Sequence, residues 1–107
     1  MTLVYAVDAL YEAGFCPAQD MDLETLPDGR AFPSVIAARG EFAKCGFELS
    51  IKHNVAFNCY RATWSRAGKN GLAAEGGTVV GQTELEAAVY ALAQLLAAKA
   101  LSSQPVI

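Results

Sequence analysis

The sequence predicts an α+β domain with N-terminal helices, a two- or three-stranded antiparallel sheet, and a long C-terminal helix packed on the sheet. Two changes of period and one type of punctuation lead there. Apolar residues recur at helical spacing near the N-terminus and again, over a longer run, after Thr83. Between them, from Phe47, the apolar period falls to two, the period of a strand with one buried face. Gly, Pro and Asn clusters separate these stretches and supply the turns.

The elements follow in order. Leu3, Val4, Val7, Leu10 and Tyr11 form one helical stripe, with Thr2 as N-cap and Gly14 as the stop. Pro17 and the turn Pro27-Asp28-Gly29 break the pattern, and the acids of "FCPAQDMDLETLPDGR" mark a solvated loop with a short helical turn near Leu23 and Leu26. A second helix follows Ser34, with Val35, Ala38, Phe42 and Cys45 on its buried side and Lys44 and Gly46 at its end. A strand over Phe32 to Ala38 is the alternative, because Gly40 weakens a helix there by about 1 kcal/mol relative to Ala.

One strand from Phe47 to Trp64 would run roughly 60 Å, too long for this domain. The chain must therefore turn, and His53-Asn54 is the expected place, giving strand 47–52 against strand 55–65. Thr78 to Val80 makes a short third strand after the Gly-rich connection "AGKNG" and "AAEGG". Thr83 and Glu86 form a capping box for the last helix, whose stripe is Leu85, Val89, Leu92 and Leu96, widened by Ala88 and Leu95. It should reach about Leu101, so residues 1–101 form one domain and residues 102–107 a frayed tail. In the second strand Val55, Phe57 and Cys59 face one side, and Ala56, Tyr60 and Trp64 the other. Both sides carry apolar groups, which predicts cover on both faces, by helices or by a dimer through one face.

Of the 107 residues, 53% are hydrophobic, but 20 of these are Ala, which suits closely packed helices in a small domain. No apolar run approaches the roughly 20 residues of a membrane helix. The opening "MTLVYAVDALYEAG" has no basic leader and carries Asp8 and Glu12, so a cytoplasmic location is expected. Cys16, Cys45 and Cys59 show no paired spacing, which fits buried thiols in a reducing compartment.

The net charge is −3, which disfavours nucleic acid and anionic membranes as partners. The cations are nevertheless uneven: Lys52, Arg61, Arg66 and Lys69 fall in a stretch of 20 residues, 51–70, that holds no acid. The same stretch holds the lone His and Trp.

Few residues suggest chemistry. His53 and Cys59 are the sole basis for an activated thiol, and a turn at 53–54 sets them roughly 17 Å apart along the second strand. One His and three scattered Cys do not make a zinc site. Asp20, Asp22 and Glu24 resemble part of a calcium loop, but Thr25 stands where the required Gly belongs. "GLAAEGGTVVGQT" lacks the Lys-Ser/Thr ending of a phosphate loop, and Glu84 and Glu86 make the last helix's start a poor anion site. No catalytic residue, cofactor or metal is expected.

The order helix, strands, helix over about residues 34–101 resembles the double-stranded-RNA-binding fold. That family opens its last helix with Gly-Lys-Lys-x-Ala-Lys, whereas Gly81 to Ala87 here reads "GQTELEA", with acids in place of lysines. The resemblance implies the topology and not the phosphate clamp. The size, the layered plan and the closing "TELEAAVYALAQLLAAKA" are also similar to small uncharacterised phage and prophage proteins, which implies a setting and no activity.

The functional expectation is a small cytoplasmic, non-enzymatic binding protein with a protein partner or a second copy of itself. Its candidate surface is Lys52, Asn58, Tyr60, Arg61, Trp64, Arg66 and Lys69; against it stands the favoured reading of the same stretch, in which Tyr60 and Trp64 pack under a helix and Arg61, Arg66 and Lys69 are solvated. The alternative is a nucleic-acid-binding module over residues 52–69, with aromatics stacking bases and cations holding the backbone.

Overall fold

A computed structural model describes residues 2–17, 19–66 and 75–102. The first helix, α1 (Leu3–Glu12), starts where the Thr2 hydroxyl accepts from the Tyr5 N–H at 3.2 Å. It stops at Gly14, whose φ of +97° lets the N–H groups of Gly14 and Phe15 return to Tyr11 and Leu10. Its buried face is Ala6, Val7 and Leu10; Val4, expected on that face, is exposed.

The segment expected to be a solvated loop with a helical turn instead forms a hairpin. Strands β1 (Leu23–Thr25) and β2 (Ala31–Pro33) pair antiparallel, Glu24 opposite Phe32. Pro27-Asp28-Gly29 does make the turn. Gly29 (φ +94°) donates to the Leu26 carbonyl, and the Asp28 carboxylate takes the Arg30 backbone N–H at 2.9 Å and Nε at 3.0 Å. Arg30 also pairs with Asp8 on α1, and the Tyr11 hydroxyl donates to the Ala31 carbonyl at 2.6 Å. These long-range bonds hold three-residue strands that propensity alone would not form.

The second helix, α2 (Val35–Lys44), is capped by the Ser34 hydroxyl on Ala37 N–H, and buries Ala38 and Phe42. The strand alternative for this region is realised only at its first two residues, Phe32 and Pro33, which end β2. Strands β3 (Glu48–Asn54), β4 (Cys59–Arg66) and β5 (Glu75–Gly81) then form an antiparallel sheet in the order β3-β4-β5. Leu49 lies opposite Trp64, Ile51 opposite Ala62, and Ala62 opposite Val79. The third strand is therefore longer than its three β-branched residues suggest.

The last helix, α3 (Glu84–Ser102), begins where the Glu86 N–H donates to the Thr83 hydroxyl at 3.1 Å. It packs on α1 and α2 and on all three strands of the sheet. Its burial is wider than the expected stripe: Ala87, Ala91 and Ala93 are buried along with Ala88, Val89, Leu92 and Leu95. A helix covered on several sides needs small residues where neighbours come close. At Gly81 a Cβ would lie 2.8 Å from the Ala87 nitrogen, so β5 reaches α3 only because it ends in glycine.

Among the described residues helices cover one face of the sheet only, so of the two expected kinds of second cover, helices on both faces are not found. Leu49, Ala62 and Trp64 are buried against the helices, while Glu48, Ser50 and Lys52 on β3, Arg61 and Ser65 on β4, and Thr78 and Val80 on β5 are exposed on the other side. Among the described residues no helix is long and apolar enough to cross a membrane. Lys69, the Gly-rich connection over 67–74, and residues 103–107 of the expected tail lie outside the described residues; Ser102 belongs to α3.

Asp28 supplies a pH test of the β1–β2 turn. The Arg30 backbone N–H first, and then its side chain, hold the Asp28 carboxyl below its ordinary range. A carboxylate with a lowered folded pKa stabilises fully above its ordinary pKa and loses that contribution as pH falls through the lowered value. Asp28→Asn should therefore melt below the wild type at neutral pH. The gap should close as pH falls through the lowered Asp28 pKa, measured by thermal melts across the acid range.

Candidate binding surface

The β3–β4 hairpin does not turn at His53-Asn54. Asn54 stays in β3 opposite Cys59, and the turn is Val55-Ala56-Phe57-Asn58. Two asparagines build it. Asn54 Oδ1 accepts from the Phe57 N–H at 3.4 Å, and Asn58 takes a φ of +48°, a left-handed conformation that Asn tolerates better than other non-glycine residues. Val55 and Phe57, expected in the second strand, are thus at the tip, each 79% exposed.

The corrected turn divides the expected surface residues. Trp64 is 7% exposed, packed on Phe42 with ring centroids 5.6 Å apart. It lies over Gly77, where a Cβ would come within 2.5 Å of the indole. Trp64 is therefore core and offers no stacking surface. Tyr60 lies on the same side, half-buried, stacked on the exposed His53 ring at 4.5 Å and 14°. Arg66, at the far end of β4, sits over the Phe47 ring at 4.9 Å. Asn58 belongs to the turn and not to a strand face.

Of the described members of the set, Lys52 and Arg61 alone share the open face, directly opposite each other in the β3–β4 register. Ser50, Thr63 and Thr78 continue this face, with Thr63 and Thr78 hydroxyls 3.4 Å apart. Sequence reasoning missed the exposed tip residues. Their signal was the pair of asparagines at 54 and 58.

The remaining cations with described side chains are engaged within the chain. Arg30 pairs with Asp8 and Asp28, Lys44 with Glu41, Arg39 donates to the Leu49 carbonyl, and Arg66 covers Phe47. Lys52 and Arg61 form no ion pair among the described residues. With Asn54 and Val55 they line one open depression at the hairpin end, about 320 Å³ in volume. The structure thus joins a cationic pair to an apolar tip.

Other chemistry finds less support. His53 and Cys59 are closer than a turn at 53–54 would allow, since Cys59 lies opposite Asn54. They nevertheless occupy adjacent register positions and so project from opposite faces of the sheet. Among the described residues no three His, Cys, Asp or Glu side chains converge as metal ligands, and Asp20, Asp22 and Glu24 are all exposed. Glu86 is buried, with Oε1 unpartnered among the described residues, in the first turn of α3, where the helix dipole favours a negative charge.

Trp64→Ala should destabilise the fold by about 3–5 kcal/mol, the usual cost of emptying a large aromatic site. Trp64 emission should be blue-shifted in the free protein and unchanged by added oligonucleotides at any salt. No family model, curated protein or solved structure matches the chain.

Proposed function

We propose that this is a non-enzymatic binding protein that docks a partner protein at the end of the β3–β4 hairpin. One observation carries the reading: Val55 lines the same open depression as Lys52 and Arg61, which have no ion pair among the described residues. Like charges directly opposite on a sheet disfavour the pairing, so a partner's carboxylate there gains two attractions and relieves a repulsion. Phe57, 79% exposed, supplies an apolar anchor of the kind that dominates interface energies. The partner segment is accordingly acidic and apolar. Cys16, Cys45 and Cys59 form no disulfide, in keeping with a reducing, cytoplasmic setting.

A second reading is favoured by the hydroxyls of Ser50, Thr63 and Thr78 beside Lys52 and Arg61, a polar and cationic sheet face able to meet a phosphate backbone. The stacking half of that reading is lost with Trp64 in the core, which is why it stands second.

The two are separated by titrating labelled protein, followed by NMR, with a blocked Glu/Leu hexapeptide, its Lys/Leu counterpart, and oligothymidylate. Shifts confined to residues 52–61 with the Glu/Leu peptide alone are expected. Phe57→Ser should weaken them about tenfold while altering stability by no more than about 0.5 kcal/mol, because the ring is exposed. Binding of oligothymidylate that falls steeply with salt and is lost in Lys52→Glu/Arg61→Glu would put the second reading first. Shifts scattered over the molecule with all three ligands would sink both.

A further inference from the structure

The three-stranded sheet ends on two edges of different character. On β3 the outward Leu49 carbonyl is taken by Arg39 Nη1 at 2.6 Å, and the strand carries Glu48 and Lys52. Among the described residues the β5 edge has no such guard. From Gly76 to Gln82 the sequence is "GGTVVGQ", with no charge and no proline, and among the described residues no strand pairs with its outer side. Native edge strands are normally blunted by a lysine, a proline, a bulge or extreme shortness. β5 spans seven residues, with Val80 48% exposed on the open face.

We propose that β5 pairs antiparallel with β5 of a second copy about a two-fold axis at Thr78, making one six-stranded sheet. Both shape and charge in this strand fit its own copy. Pairing about Thr78 sets residue 80 of each chain opposite residue 76 of the other, so the exposed Val80 side chain lies over Gly76, where the partner has none. On the open face the strand is thus bulky at Val80 and bare at Gly76, and the dyad matches bulky to bare; on the helix side the space at Gly77 is already taken by the Trp64 indole of the same chain. Its one charged residue, Glu75, lies at the end. Antiparallel pairing opposes it to Gly81 and holds the two Glu75 backbones roughly 20 Å apart, beyond the screening length of about 8–10 Å at physiological salt. Pairing also satisfies the outward N–H and C=O groups of β5, while the contact, being isologous, closes at two copies and does not propagate.

The dimer uses none of the hairpin-tip residues and does not depend on the reading of that tip. It would carry two tips at opposite ends of the sheet, because each tip lies beyond the Gly81 end of its own β5.

Sedimentation velocity of the full chain over a wide concentration range tests the pairing. The wild type is expected to reach twice the chain mass of 11.3 kDa. Thr78→Lys/Val80→Lys, which puts lysines opposite each other at the dyad on exposed positions, should weaken the dimer at least about tenfold with an unchanged circular dichroism spectrum. Ser50→Lys on the β3 side of the open face, and Phe57→Ser at the tip, should leave it intact. Hydrogen exchange at β5 amides should slow with rising concentration in the wild type and in these two control variants, and not in the double lysine variant. A wild type that stays at 11.3 kDa, a dimer that survives the double lysine variant, or one dissociated by Ser50→Lys overturns the proposal.

Discussion

The structure depends on the close seating of α3 among its neighbours. From Glu86 to Ala93 every residue but Tyr90 is buried, because α1, α2 and the sheet all meet this helix. Such a position cannot be filled by an ordinary amphipathic helix, whose polar side would lose its water. Alanine solves the problem of distance more than of energy. It adds little transfer free energy per residue, yet lets Gly81 approach Ala87 at backbone range. The energy comes from the larger groups around the alanines: Leu10 and Val7 on α1, Phe42 on α2, Trp64 on β4, and Val89 and Leu92 on α3 itself. Each fully buried side chain of that size contributes about 1.5–3 kcal/mol.

That seating decides what remains outside. The helices lie on one face of the sheet, so alternation along β3, β4 and β5 sends every second side chain into solvent. The Leu49, Ile51 and Ala62 positions are used for the core, and Ser50, Lys52, Arg61, Thr63 and Thr78 are left over. The hairpin runs past the last core pair, Ile51–Ala62, and ends on Val55 and Phe57, with the His53–Tyr60 stack between core and tip. The tip is therefore a loop carried on a paired strand scaffold and held by its own asparagines, an arrangement suited to presenting a contact without a large ordering cost.

The legible parts of the chain were those written in local rules. The caps at Thr2, Ser34 and Thr83, the stops at Gly14 and Gly46, the Pro27-Asp28-Gly29 turn and the three antiparallel strands all follow from short-range patterns, and the structure has them. What failed needed long-range information. The β1–β2 hairpin depends on Asp8 reaching Arg30 and Tyr11 reaching Ala31, across 22 and 20 residues of chain. The turn was misplaced because Val55 and Phe57 have strong strand propensity, and propensity lost to Asn54 and Asn58. The burial of Trp64 was undecidable from period alone, since either face of β4 carries apolar groups; Gly77, whose missing side chain makes room for the indole, was the overlooked sign. Of the residues expected to form one surface, Lys52 and Arg61 share the open face, Tyr60, Trp64 and Arg66 belong to the other face, and the apolar tip was counted as strand.

Electrostatic magnitude sets how much weight the cationic pair can bear. Two like charges roughly 5 Å apart in water repel by only about 0.8 kcal/mol. Exposed Lys52 and Arg61 therefore cost the fold little, and their adjacency alone would not point to a ligand. Their meaning comes from position. Arg30, Arg39, Lys44 and Arg66 are each spent on a carboxylate, a carbonyl or a ring within the chain, whereas this pair is set beside Val55 at the hairpin end. A small repulsion that salt weakens is easily offset by a single incoming carboxylate. In the docking proposed above, charge would act on approach and orientation, and Phe57 and Val55 on residence.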